Sequence, residues 1–190
     1  MIRFYLLILL FITACASPGS EKPSVLANKI ICIDAGHGGT ADTDSYRVGP
    51  SGEREEWINL RVAKHLSALL QARGAKVLMT RVSDTAISLA ERAELAVNQQ
   101  ADVFLSIHHN ATADPLVNFP IVYYHGNASE NQASVALGKL VTRELRMALF
   151  SDSVPVSLAS DHTIFPDRGA AVLRGTYGIP AVIGEATFFT

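Results

Sequence analysis

Three short apolar runs, each of strand length and each breaking abruptly into chemistry-bearing residues, constrain this chain more than any other feature. Lys29-Ile30-Ile31-Cys32-Ile33 runs into Asp34-Ala35-Gly36-His37-Gly38-Gly39, Val103-Phe104-Leu105-Ser106-Ile107 into His108-His109-Asn110, and Ala181-Val182-Ile183-Gly184 into Glu185. Such runs read as buried strands, and in open α/β sheets the crevice for ligands lies beyond the carboxyl ends of the strands. His37, His108 and Glu185 are therefore expected to converge at one rim of a sheet, each just past the end of its strand. The glycines around His37 permit a tight turn and a close approach of backbone to a ligand.

A fourth candidate comes from a helix. From Glu55 to about Arg73, apolar residues recur at Ile58, Val62, Leu66, Leu69 and Leu70, the spacing of one buried face, and Gly74 suits the C-terminal end. At about 100° per residue Glu55 falls inside that stripe, while Glu53 and Glu56 fall outside it. A buried carboxylate needs a cation, which a metal shared with two histidines supplies; an arginine partner is the structural alternative. His37, Glu55 and His108 leave the fourth position of a tetrahedral zinc to water, the pattern of catalytic sites, and such water becomes more acidic. Glu185 is then the candidate general base, with an ion pair to Arg174 as the structural alternative. Asp34 is expected to orient His37 or shape its turn. Asn110 is assigned to a turn or to substrate, His109 to the shape of the cleft, and Arg81 with Asp84 to a structural pair. Trp57 either stacks on sugar or packs, and His65, His125 and His162 receive no role.

The order of elements supports an α/β fold. A strand at Ala75 to Thr80, a helix opening at the capping box Ser88-Leu89-Ala90-Glu91 and the strand ending at Ile107 follow the Glu55 helix. A strand from Ile121 to His125, a helix from Glu130 to Leu149 and a short strand from Ala171 to Leu173 precede the last strand. This alternation predicts a single domain with a mostly parallel twisted sheet flanked by helices and the metal site at the carboxyl ends of the strands.

The N-terminal segment reads as an export signal. Arg3, the nine apolar residues from Phe4 to Ile12, and Thr13-Ala14-Cys15 match the leader of bacterial lipoproteins. So short a run does not span a hydrocarbon core of about 30 Å. Residues 1–15 are expected to be the signal, with Cys15 lipidated. Residues 16–28, rich in Ser, Pro and Gly, form a tether with a typical span of roughly 20 Å, and 29–190 form the catalytic domain. The enzyme is thus expected at the periplasmic face of the cell envelope, anchored in a membrane. Cys32, within an apolar strand, is expected to be a buried free thiol. A formal net charge of −2 gives no footprint for nucleic acid.

Five segments carry a family resemblance: Ile33 to Gly39, Glu55 to Leu60, Leu78-Met79-Thr80-Arg81, Ser106 to Ala111 and Pro180 to Glu185. In this order, between about Lys29 and Phe189, they resemble the zinc-dependent N-acetylmuramoyl-L-alanine amidases of the amidase_3 type. The resemblance implies zinc held by His37, Glu55 and His108, and cleavage of the amide between the muramic acid lactyl group and L-alanine in peptidoglycan. It makes Glu185 the catalytic carboxylate, which takes a proton from the attacking water and delivers it to the leaving amine. An activating protein is left open as a partner. The chain departs from the family pattern at Ala186-Thr187-Phe188-Phe189-Thr190, where a Gly before Phe and a further segment are usual, so a shortened C-terminus is expected. It departs again at Phe119-Pro120, where a Gly often enters the strand. Two other readings accompany the amidase: a lipoprotein of the same fold that binds the wall without cutting it, and a zinc peptidase acting within the stem peptide.

Overall fold

The computed structural model describes residues 24–39 and 47–188; Cys15, the leader, most of the tether and the last two residues lie outside the described residues. The strands are β1 (Ile30–Ala35), β2 (Lys76–Met79), β3 (Val103–Asn110), β4 (Ile121–Tyr124), β5 (Ser157–Ser160) and β6 (Ala181–Phe188). The helices are α1 (Glu55–Gln71), α2 (Leu89–Asn98), α3 (Gln132–Leu149) and α4 (Ala171–Gly175), with a short 3-10 turn at Asp161–Thr163. None of the helices among the described residues is long and apolar enough to cross a membrane.

One sheet orders the strands β2-β1-β3-β6-β4-β5. Every neighbouring pair is parallel except β6 with β4, so the α/β expectation of a mostly parallel sheet holds, with β4 and β5 reversed. Side-chain alternation along each strand divides the interior in two. Ile31, Ile33, Ala35, Leu105 and Ile107 face α1, packing with Leu60, Ala63, Leu66 and Leu70. Cys32, Phe104, Ala181 and Ile183 face the other way, toward Ala96 of α2 and Val172 and Leu173 of α4. Asp34, Ser106, His108 and Glu185 share the parity of this second face, which brings them to one side of the sheet. Cys32 is the buried free thiol expected, and burial pushes it up to about 12.

Several expectations are corrected. Ala171 to Leu173 is helical, the first three of the five residues of α4, and its backbone closes helical bonds such as Thr176 N–H to Val172 O. The unforeseen β5, Ser-Leu-Ala-Ser, has no β-branched residue to announce it and is held by parallel pairing to β4. On α1 the covered face runs through Glu55, Glu56, Asn59, Ala63 and Ser67, small and polar positions that let the helix sit close to the sheet. Val62 and Leu69, assigned to that face by hydrophobicity, are exposed. Glu56, expected outside, is fully buried and bonded by Arg54 Nε at 2.6 Å.

Candidate active site

His37 stands on the turn after β1, in a left-handed backbone conformation with φ +58°. Such a conformation is uncommon for a residue with a side chain and requires outside support. Two buried arginines provide it by collecting the carbonyls of the turn. Arg81 donates from Nε to Ala35 O at 2.8 Å and from Nη2 to Gly36 O at 2.9 Å. Arg92 donates from Nη1 to Ala35 O at 2.9 Å and from Nη2 to His37 O. Asp34 shapes this turn indirectly, since Arg92 Nη1 meets its Oδ1 at 2.7 Å. Thr80 and Ser106 hydroxyls also donate to Asp34. Burial opposes ionisation of Asp34, but Arg92 and the two hydroxyls outweigh it and hold the carboxyl below its usual range.

The second histidine comes from β3. His108 lies within that strand, which continues to Asn110 instead of ending at Ile107 as the sequence suggested. Gly36 makes room for it: a Cβ at Gly36 would fall 2.3 Å from both Cε1 and Nε2 of the His108 ring. The two imidazoles meet edge to face at 4.7 Å between centroids. Between them stands Glu55, delivered by the first residue of α1. Its Oε2 is 3.0 Å from His37 Nε2 and its Oε1 is 3.1 Å from His108 Nδ1. Asn59 Nδ2 at 3.0 Å and the His109 N–H at 3.2 Å complete the shell around Oε1. Burial works against the Glu55 charge, yet the hydrogen bonds from His108 and His37 prevail and keep its carboxyl well below normal. His37, Glu55 and His108 thus form a compact donor group whose ligand atoms lie within 4.8 Å of one another.

Glu185 sits beside that group because β3 and β6 are parallel neighbours and His108 pairs in register with Glu185. It too lies inside its strand, since β6 continues through Phe188, four residues beyond Gly184 where the sequence placed the end. Arg174 does not pair with it; that guanidinium bonds to the carbonyls of Arg168 and Gly169. Glu185 Oε2 is buried without a hydrogen-bond partner among the described residues. Burial outweighs the opposing His108 charge and, with the Glu55 charge, pushes its carboxyl up to about 7, the range a general base needs near neutral pH.

A cavity of about 280 Å³ opens over these groups, lined by His37, Glu55, His108, Glu185, His109, Asn110, Ala111 and Arg47. Arg47 is a lining residue that sequence reasoning missed, because no motif or periodicity marks it. His109 is fixed by a 2.9 Å contact from Nδ1 to Asn59 Oδ1, and Asn110 Oδ1 accepts from the Ala111 N–H at 2.9 Å. The anticipated Arg81–Asp84 pair does not form. Arg81 is used up on backbone carbonyls, while Asp84 accepts from the Gly39 N–H and from Trp57 Nε1 at 3.0 Å, tying the turn to the start of α1. The Phe119 departure has a packing role: its ring lies 5.4 Å from that of Phe188.

The model of the family Amidase_3, N-acetylmuramoyl-L-alanine amidase, matches residues 31–190. The N-acetylmuramoyl-L-alanine amidase AmiA of Salmonella typhimurium is 28% identical, over 94% of this chain and 73% of that protein. Among solved structures, an N-acetylmuramoyl-L-alanine amidase from Clostridium difficile 630 superposes with a TM-score of 0.71 at 29% identity, covering 86% of this chain and 81% of the other. The CwlD amidase of Clostridioides difficile, in complex with the GerS lipoprotein, gives 0.67 at 26% identity over 85% and 83%. Fold, motif order and extent of match agree, and the chain belongs to the Amidase_3 family of N-acetylmuramoyl-L-alanine amidases.

Proposed function

We propose that the chain is a zinc-dependent hydrolase that cleaves the amide between N-acetylmuramic acid and L-alanine in peptidoglycan and releases stem peptides. The observation that carries the reading is the buried Glu55 carboxylate bracketed by His37 Nε2 and His108 Nδ1, with the unpartnered Glu185 oxygen beside them. A His, Glu, His donor set fits zinc and leaves coordination positions free. When bound there, zinc supplies Lewis acidity that polarises a carbonyl and lowers the pKa of water.

The chain's own residues supply the rest. Glu185 takes the proton of the attacking water on its unpartnered oxygen and returns it to the leaving nitrogen of L-alanine. Asn59 and the His109 amide hold Glu55 in place. Arg81, Arg92 and Asp34 hold the His37 turn. The proposal extends to location: Cys15 carries a lipid, residues 16–28 tether the domain, and the enzyme works at the periplasmic face of its membrane. CwlD, found in complex with a lipoprotein, supports a protein partner for this chain as well.

Mass spectrometry of products released from purified peptidoglycan tests the reaction. Free stem peptides beginning at L-alanine, formed by zinc-loaded enzyme and absent with Glu185→Ala, are the expected result. Fragments cut within the stem peptide overturn it in favour of a peptidase, and wall binding without products overturns it in favour of a binding lipoprotein. For the anchor, labelled palmitate should enter the wild type and not Cys15→Ser.

A further inference from the structure

A second group of imidazoles and a carboxylate lies outside the cleft. His125 follows β4 directly, Asp161 and His162 follow β5, and their ligand atoms also lie within 4.8 Å of one another. β4 runs antiparallel to β6, with Ile121 opposite Glu185. His125 is four residues further on, so at about 3.3 Å per residue it stands roughly 13 Å along the sheet from the level of the catalytic carboxylate.

Asp161 is fully buried. Its Oδ2 is 2.8 Å from His125 Nδ1 and accepts from the Ala170 N–H at 2.7 Å. Its Oδ1 accepts from the Gly126 N–H at 3.1 Å and stands 3.9 Å from His162 Nε2. The last distance is too long for a hydrogen bond. A tetrahedral zinc, with bonds of about 2.0–2.2 Å, would hold the two atoms roughly 3.4 Å apart, a closure of about half an ångström that the exposed His162 side chain can make. Gly169, at φ +65°, closes the other side, for a Cβ there would fall 2.5 Å from Asp161 Oδ2 and 2.7 Å from His125 Nδ1. The approach left open is the one that His162, with a side chain 45% exposed, borders.

We propose that His125, Asp161 and His162 form a second divalent-cation site, of the class that imidazole and carboxylate select, such as zinc. Its role is structural. Asp161 and His162 begin the segment that leads through Phe165 to Ala170 and Val172, and these three residues wall a cavity of about 360 Å³ that reaches His37 and His108. A cation joining the ends of β4 and β5 fixes that wall. The hydrogen bonds of Asp161 to His125, Gly126 and Ala170 explain a purely structural cluster without His162, which makes His162 the discriminating residue.

Calorimetric titration of the tag-free chain, stripped with chelator and then given zinc, tests the site independently of the catalytic reading. Wild type should bind two equivalents, His162→Ala one and Glu55→Gln one, and the double variant none. Zinc should raise the melting temperature of Glu55→Gln and leave that of the double variant unchanged. A single wild-type equivalent that His162→Ala removes and Glu55→Gln retains still supports this site, while sinking zinc in the cleft. A single equivalent that Glu55→Gln removes, or wild-type stoichiometry retained by His162→Ala, overturns it.

Discussion

Glu185 is the residue at which stability and chemistry pull apart. A folded carboxyl near 7, against about 4.3 in an unfolded chain, means that the folded state resists ionisation. The metal-free protein therefore loses stability as pH rises from about 4.3 to 7, and the loss persists above that range. Glu185→Gln keeps the shape without the charge. In metal-free protein at pH 8 it should be more stable than wild type by about 1–3 kcal/mol, and at pH 4 the two should melt together; urea unfolding at both pH values checks this. The same variant should lose about 10²–10⁴ in kcat/KM by stem-peptide release, while its zinc content stays at the wild-type level. Arg92 presents the opposite case, a charge whose removal strands others. Arg92→Met leaves Asp34 buried without its cation and takes the donor from the His37 carbonyl, while Ala35 O keeps Arg81, so about 3–5 kcal/mol of stability should disappear in denaturant titration. The sequence announced the importance of Asp34 by its place beside His37, but the link runs through an arginine 58 residues away. No local pattern encodes that contact.

At the scale of elements, what could be read depended on how much of the signal was local. The capping box of α2 is a contact between residues three apart, and both of its hydrogen bonds form, Ser88 Oγ with the Glu91 amide and Glu91 Oε2 with the Ser88 amide. Glu55 faces inward as a helix phase of about 100° per residue places it, but the same phase puts Glu56 outside, where the structure buries it. The rest of the α1 face was misread, since hydrophobicity nominated Val62 and Leu69 where closeness to the sheet selected Ala63 and Ser67. Glycine has the same kind of hidden partner. Gly36 serves no positive φ; it is small because the His108 ring occupies the space where a Cβ would stand. Gly36→Ala must therefore displace His108 relative to Glu55. Zinc affinity should fall at least tenfold by competition with a chelator, a loss of about 1.4 kcal/mol or more, while far-ultraviolet circular dichroism stays unchanged because β1 and β3 remain paired.

The whole molecule assembles its site from pieces that only strand order joins. His37, Glu55, His108 and Glu185 span most of the chain, and they meet because β1, β3 and β6 are adjacent and parallel with α1 laid across one face. That the three strands carry His37, His108 and Glu185 at like positions was legible; that β4 and β5 reverse direction was not, because a reversed edge is decided by connections and packing and not by composition. The same assembly ties metal affinity to pH. Burial alone would lower the His108 pKa, but the Glu55 hydrogen bond and the charges of Glu185, Glu55 and Asp34 raise it above 6.5. In metal-free protein the proton on His108 contributes stability that is fully present below about 6.5 and is lost as pH rises through the higher folded value. Zinc held at His108, as proposed, requires that imidazole neutral, so the proton competes with the metal on the acid side and leaves the field above it. Binding at a free zinc concentration of about 100 times Kd stabilises by about 2.7 kcal/mol, which for a domain of this size corresponds to roughly 5–11 °C in Tm. That shift should appear in full near pH 8 and shrink toward pH 5 in scanning calorimetry of the His162→Ala variant, where only the cleft is expected to bind. A shift of equal size at both pH values would mean that the metal is not held by the histidines bracketing Glu55.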